Sequence, residues 1–125
     1  MIKSESQKSL NNVCDFSYLA KMVNRKKHLI LGIMDVFLKQ IPEELQYINE
    51  AIIKTDYSTI SNYSHTMRSS VSIMGISVLS SVLQEMEELG KSATGIERIK
   101  ELNKKLTLIC NQSIEETERE KLKYI

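Results

Sequence analysis

Residues that form turns are scarce in this chain of 125 residues. It contains four glycines, one proline and no tryptophan. A multi-stranded β protein needs frequent glycine and proline turns, so their scarcity argues against that class. Apolar residues make up 42% of the chain and charged residues 26%, which is ordinary for a folded globular protein. Length and composition therefore favour a single all-α domain.

Long hydrophobic runs and an excess of one charge are missing too. The longest apolar run, residues 29–34, is closed by Asp35 and falls far short of the roughly 20 residues that cross a bilayer. No apolar region follows the charged N-terminus, so it does not resemble a secretory signal. With 17 Lys and Arg against 16 Asp and Glu, the net charge of +1 gives no basis for a nucleic-acid surface. We expect a cytoplasmic protein with protein partners, without nucleic-acid binding or membrane insertion.

Cysteine and histidine are rare. Cys14 and Cys110 form neither a CxxC pair nor a disulfide framework, and Cys110 lies beside an apolar stripe that should bury it. No Cys, Asp or Glu stands at a recognisable ligand spacing beside His28, and the phosphate-binding loop of ATP-binding proteins is missing. We expect no metal site and no cofactor bound by this chain.

Helical periodicity is what the chain does contain. Residues 1–14 are polar and without a period, so we expect a flexible leader or linker there and a helical domain over residues 15–125. Asp15 is placed to cap a short first helix. The second helix follows an apolar stripe over residues 30–52, with a kink, or alternatively a break, at Pro42.

Two further helices carry the middle of the chain. The third has its cap within residues 54–56 and should end at Gly75, which is free to adopt the left-handed conformation. Ser77 can cap the fourth helix, which should close at Gly90.

The last helix follows a capping-box pattern, Thr94-x-x-Glu97, and residues 112–125 should extend it as an exposed helix. Four amphipathic helices joined by short connections, preceded by a short one, predict an antiparallel four-helix bundle.

His65 lies on the outward face of the third helix. At about 100° of rotation per residue, it stands roughly 160° from the mean direction of the apolar stripe through Met67 and Val71. Solvated helix faces more often carry Lys and Glu, whereas short polar side chains surround this ring and leave it accessible. These neighbours are Ser58, Ser61, Asn62, Ser69 and Ser72.

A neutral imidazole can accept a phosphoryl group on a ring nitrogen, and a cation one helical turn away can stabilise the charge on the phosphoryl oxygens. His65 and Arg68 fit that chemistry. Hydrolysis by a serine or cysteine would need a third group that orients the ring, and nothing in the sequence specifies one.

Residues 64–75 resemble the motif of the histidine phosphotransfer (HPt) domain family. That motif has a His, Lys or Arg at +3, small residues after it, an apolar residue at +9 and Gly at +10. The segment 15–19, Phe37-Leu38, Pro42 and Leu45 also resemble that family's opening helices, so the likeness covers roughly residues 15–112. One departure is Ser69 at +4, where many members have glycine.

The resemblance implies roles for particular residues. His65 would be the phosphoacceptor, Arg68 would contact the phosphoryl group, Glu87 would hydrogen-bond the imidazole, and Gly75 would let the helix end turn closely against the next helix. Docking contacts to a receiver domain are expected at Ser61, Asn62, Thr66, Ser69, Ser72 and Ile73.

The resemblance also implies partners. They would be response-regulator receiver domains and a histidine kinase, which can be a hybrid kinase that includes this domain. The receiver would bring Mg²⁺, and this chain would act as a monomeric phosphocarrier in a phosphorelay without turnover of its own.

Two other interpretations remain open. The dimerisation and phosphotransfer helices of a sensor histidine kinase also carry Ser-His and an Arg at +3, but an acidic residue usually follows the His and a proline stands at +5. Here those positions hold Thr66 and Ser70. A helical adaptor with an incidental exposed histidine is the second alternative. Phosphate transfer to His65 and the oligomeric state in solution would separate the three.

Overall fold

Helices make up most of the computed structural model, which describes residues 12–125. They are α1 (Phe16–Met22), α2 (Lys27–Ile53), α3 (Tyr57–Ile73), α4 (Val78–Ser92) and α5 (Ile96–Lys121), followed by a 3-10 helix at Leu122–Tyr124. Within residues 12–125 there is no strand, so the predicted all-α class is confirmed. No helix in this part of the chain combines the length and apolarity needed to cross a bilayer.

The four longer helices pack around one core. Helix α2 contacts α3 and α5, and α4 contacts the same two helices. Burying a large apolar side chain contributes about 1.5–3 kcal/mol relative to leaving it exposed, which is what holds amphipathic helices together. The largest fully buried side chains come from the predicted apolar stripes and their connections: Leu19, Ile30, Met34, Ile41, Ile48, Ile60, Met67, Met74, Ile76, Leu79, Leu83 and Met86.

Two predicted helix caps form. The side chain of Asp15 accepts a hydrogen bond from the backbone N–H of Ser17 at 3.1 Å and begins α1. Asp56 accepts one from the backbone N–H of Thr59 at 3.2 Å and begins α3. Each carboxylate satisfies an N–H that has no partner within its own helix.

Helix α2 continues through Pro42, so a break at that position is wrong. Proline removes one backbone hydrogen bond from a helix interior. Pro42 is exposed, while Ile41 and Leu45 are buried at 0% and 6% exposure. Tertiary packing on the core side of α2 outweighs the lost hydrogen bond.

Gly75 ends the α3 region as predicted. It has φ +67°, its N–H donates to the Ser72 carbonyl at 3.0 Å, and the Ile76 N–H donates to the Val71 carbonyl at 2.9 Å. These two bonds make a Schellman motif. A Cβ added at Gly75 would lie 2.8 Å from the Cβ of Asp15. The close approach is therefore to the start of α1, whereas the resemblance implied closeness to the following helix.

Gly90 does not close α4, which is a correction to the sequence prediction. The helix continues to Ser92, and Ala93 takes the left-handed conformation after it, with φ +51°. Gly90 is buried, and a Cβ there would lie 2.9 Å from both the Ser61 Cβ and the Tyr57 carbonyl. This glycine serves the packing of α4 on α3.

Two other predicted caps are also wrong. Ser77 stands at the N-cap of α4 but has helical backbone angles and makes no side-chain capping bond. Thr94 and Glu97 form no capping box, because the N-cap of α5 is Gly95 with φ +77°. The left-handed glycine shifts the helix start one residue beyond the threonine.

The C-terminal extension of α5 is helical as predicted, but it is not fully exposed. Ser113, Glu116 and Thr117 are buried, at 0%, 4% and 0% exposure. The Glu116 carboxylate accepts hydrogen bonds from the backbone N–H groups of Val13, at 2.8 Å, and Cys14, at 2.9 Å. One face of the extension thus binds the segment that precedes α1.

Most of the predicted leader lies outside the described residues, which begin at residue 12. At its end, Val13 and Cys14 already pack against the core. Among the described residues, contact with the helical domain therefore includes the two residues before Asp15.

Candidate functional site

His65 projects from the middle of α3 into solvent. Its side chain is 71% exposed, while Met67 and Val71 on the same helix are buried. The angle between the imidazole and the apolar stripe predicts this outward direction.

The small residues of α3 do not all face out. Asn62, Ser69 and Ser72 are exposed, but Ser61 is only 7% exposed because Gly90 of α4 packs against it. The expected outward position of Ser61 is therefore wrong. Small residues at this point let the two helices approach closely and bring α4 alongside the imidazole.

Glu87 reaches His65 from the neighbouring helix. Gly90 stands three residues after it, so its close contact with α3 lies on the same side of α4, about one turn away. The Glu87 Oε2 lies 2.9 Å from the His65 Nδ1, the contact that the resemblance implied. The Glu87 side chain is 6% exposed, so a buried carboxylate holds an exposed ring.

Three donors share the Glu87 carboxylate. Besides His65, the Arg68 guanidinium donates to Oε1 at 3.0 Å, and the Lys91 ammonium lies 3.2 Å from Oε2. Burial raises the pKa of Glu87, but hydrogen bonds from Arg68, Lys91 and His65 more than offset it and lower the pKa to about 2. Glu87 is therefore ionised at neutral pH.

The ionised carboxylate decides the protonation of the ring. A carboxylate only accepts hydrogen bonds, so the His65 Nδ1 must carry a proton to be held at 2.9 Å. In a neutral imidazole the lone pair then lies on Nε2. The site therefore presents a nucleophilic nitrogen with the other nitrogen tethered to Glu87.

Arg68 lies on α3 one turn beyond His65, and its side chain is 43% exposed. In this structure it binds Glu87 and thus stands next to the imidazole. The guanidinium can serve an anion at His65 by turning away from the carboxylate, since its side chain is partly in solvent.

Lys91 is the residue that sequence reasoning missed. It follows Glu87 by four positions on α4, and this spacing is typical of ion pairs along a helix face. The spacing could have predicted the pair but not its position beside His65. Lys91 lines a polar groove of about 390 Å³ whose other lining residues are Ser61, Asn62, His65, Thr66 and Glu87.

An apolar groove of about 460 Å³ lies between α2 and α3 on the other side of the site. Ser69 and Ile73, both expected in receiver docking, line its α3 wall. Leu29 and Val36 line the α2 wall and are 40% and 52% exposed. His28 lies at this groove, and among the described residues it has no contact with Glu87, Arg68 or Lys91.

Neither cysteine contributes a nucleophile. Cys110 is 0% exposed, so its predicted burial is confirmed. Burial raises the pKa of the Cys110 thiol to about 12, and it raises the pKa of Cys14 as well. Within residues 12–125, no group of three or more His, Cys, Asp or Glu side chains is placed to hold a metal ion.

One family model matches this chain. The model of the Hpt domain covers residues 32–118, which is more than half of the sequence and includes His65, Arg68, Glu87 and Lys91. Comparisons with curated proteins and with solved structures gave no match.

Proposed function

The chain belongs to the Hpt domain family, whose members carry phosphoryl groups in two-component phosphorelays, and we propose that His65 is its phosphoacceptor. His65 takes a phosphoryl group from the aspartate of one receiver domain and passes it to another. One observation carries it: the exposed imidazole is bound through Nδ1 to the buried Glu87, which leaves Nε2 open.

The chemistry follows from that arrangement. The Nε2 lone pair forms the bond to phosphorus while the bond between phosphorus and the aspartyl oxygen breaks, and the aspartate leaves with the electron pair. The ring gains positive charge, its proton stays on Nδ1, and the Glu87 carboxylate stabilises that charge at 2.9 Å. Transfer to the next receiver is the reverse step. Positioning and charge neutralisation supply most of the catalysis in phosphoryl transfer.

Arg68 is the proposed contact for the phosphoryl oxygens. It stands one turn from His65 and is bound to the same carboxylate. The receiver domain supplies Mg²⁺ and its acidic pocket, and this chain supplies the nucleophile and the cation. The chain is thus a phosphocarrier with no cofactor of its own.

Receiver docking is proposed at the exposed small residues and the apolar groove beside them. Asn62, Ser69 and Ser72 give a partner clearance to approach the ring. Ile73, half-buried in the groove wall, offers apolar contact. Ser61 is buried under α4 and therefore offers no contact on the outer surface. We propose that it takes part in docking only through the polar groove that it lines with His65.

We expect α2 to α5 to form an antiparallel four-helix bundle, which the contacts of α2 and α4 with both α3 and α5 support. The bundle should be monomeric, and size-exclusion chromatography with light scattering tests this.

Phosphate transfer from a labelled receiver domain tests the function. Wild-type protein mixed with a phosphorylated receiver should acquire acid-labile, alkali-stable phosphate. The His65→Gln variant should acquire none, whereas His28→Gln should still acquire the label, because His28 is not the proposed phosphoacceptor; since His28 lines the docking groove, this change can lower only the rate of labelling. Absence of label on the wild type, or equal labelling of His65→Gln, would show that the proposal is wrong.

Arg68→Ala should slow the transfer about tenfold, because it removes one cation from a partly exposed site. Arg98→Ala is the matched control, since Arg98 makes ion pairs of its own with Glu85 and Glu101. An unchanged rate for Arg68→Ala would remove this residue from the mechanism while leaving His65 in place.

A further inference from the structure

Glu87, His65, Arg68 and Lys91 form a cluster, here called the Glu87 cluster, in which two basic side chains contact one carboxylate. Two basic side chains, Arg68 and Lys91, pair with a single buried carboxylate on which His65 also depends. The cluster thus carries one net positive charge beside the nucleophile before any phosphoryl group arrives.

The position of Arg68 creates a conflict for phosphotransfer. To contact phosphoryl oxygens at His65, the guanidinium must leave the Glu87 Oε1, where it now lies at 3.0 Å. Glu87 is 6% exposed, and a buried carboxylate that loses its cation is strongly disfavoured. With Arg68 as its only cation, Glu87 would oppose the movement.

Lys91 resolves that conflict by its contact and its place in the chain. Its ammonium lies 3.2 Å from Oε2, the same oxygen that binds the His65 Nδ1, whereas Arg68 uses Oε1. Lys91 and Glu87 are one turn apart on α4, so their pairing does not depend on how α3 or its side chains move. Arg68 shares α3 with the reacting ring.

We propose that Lys91 is a positioning residue for phosphotransfer, which holds Glu87 against the His65 Nδ1 while Arg68 turns to the phosphoryl group. This role rests on the function proposed above. It divides two tasks between two cations: Lys91 neutralises the carboxylate, and Arg68 neutralises the oxygens that are transferred. No bond to Lys91 forms or breaks, and its effect passes through Glu87.

The rate of phosphoryl transfer from a phosphorylated receiver to His65 tests the role of Lys91. Lys91→Met should slow labelling of His65 about fivefold, because the Lys91 ammonium is 69% exposed and solvent weakens its attraction to the buried carboxylate. Lys91→Arg should restore most of the rate, since it keeps the charge. Lys100→Met is the control, because Lys100 makes a comparable surface pair with Glu97 at 3.3 Å on α5.

Coupling between the two cations is the sharper measurement. Arg68→Ala should cost about tenfold in the wild-type background and only about twofold in the Lys91→Met background, because Arg68 is then already retained on Glu87. A full tenfold cost in both backgrounds, or a wild-type rate for Lys91→Met, overturns the proposal. If Lys91→Met does not fold, Lys91→Gln repeats the test with a polar, uncharged side chain of similar length.

The ring proton gives a readout that needs no phosphate. Imidazole ¹⁵N spectra should show the His65 Nδ1–H form in Arg68→Ala, where Lys91 still holds Glu87, and a loss of that preference in the Arg68→Ala, Lys91→Met double variant. Equal tautomer populations in the two variants would overturn the role of Lys91. A wild type that shows the Nδ1–H form but acquires no label would instead refute the proposed function.

Discussion

Replacement of Gly75 by alanine should destabilise the domain severely, although it adds only one methyl group. Gly75 has φ +67°, and an alanine in that left-handed conformation costs about 1–2 kcal/mol. Its Cβ would stand 2.8 Å from both the backbone N and the Cβ of Asp15, and the backbone cannot move aside as a flexible side chain can. Asp15 also donates its N–H to the Met74 carbonyl at 3.2 Å, so displacing it loses a hydrogen bond.

Together these effects should lower the free energy of unfolding by about 2–4 kcal/mol. This net value already includes a gain of about 0.4–1 kcal/mol, because alanine restricts the unfolded chain. Gly32→Ala is the matched control. Gly32 is an exposed residue of α2, and nothing lies within 4 Å of a Cβ added there. Gly32→Ala should therefore stabilise the domain by about 0.5–1 kcal/mol.

Equilibrium unfolding in urea, followed by circular dichroism, measures both variants. The slope of the free energy of unfolding against urea should stay unchanged if both variants unfold in one transition. If Gly75→Ala proves as stable as Gly32→Ala, the reasoning from the left-handed turn and from the contact with Asp15 is refuted.

Three further changes test individual carboxylates. The folded-state pKa of Glu87, lowered to about 2, means that its contribution to stability is present above its ordinary pKa of 4.5 and is lost as the pH falls through 2. The stability difference between wild type and Glu87→Gln should therefore narrow over that range, and a constant difference in acid unfolding would contradict it. Glu116→Ala removes the acceptor for the Val13 and Cys14 N–H groups and should cost about 1–3 kcal/mol; hydrogen exchange at those two amides should rise, and unchanged protection would disprove the contact. Burial raises the pKa of Glu44, and its Oε1 has no hydrogen-bond partner among the described residues. Glu44→Gln should therefore stabilise the domain by about 1 kcal/mol at pH 7. Thermal melts should show that this gain is lost below pH 4.5, where the carboxyl group is protonated.

The helices were largely predictable because their signals are local. The periodic stripes, the Asp15 and Asp56 caps and the Gly75 terminus each depend on residues within about two turns of one another. The wrong predictions concern residues whose role depends on contacts between separate helices. The position of Gly90 after a periodic stripe predicts a helix end, yet its missing side chain serves a contact with Ser61 on another helix.

The sequence by itself determined that the chain is helical and that His65 faces solvent among small residues with Arg68 one turn away. Both follow from a rotation of about 100° per residue, which is a property of each helix alone. The motif around His65 also identified the family, because its residues are contiguous in the chain.

Only the tertiary structure decided what holds the nucleophile. Glu87 is 22 residues from His65, and it reaches the ring because α4 packs closely on α3 at Gly90 and Ser61. Packing also buried the carboxylate and brought Arg68 and Lys91 to it, which keeps Glu87 ionised and leaves the proton of His65 on Nδ1. Periodicity sets which way a side chain leaves its own helix, but the partner it meets depends on how separate helices approach one another.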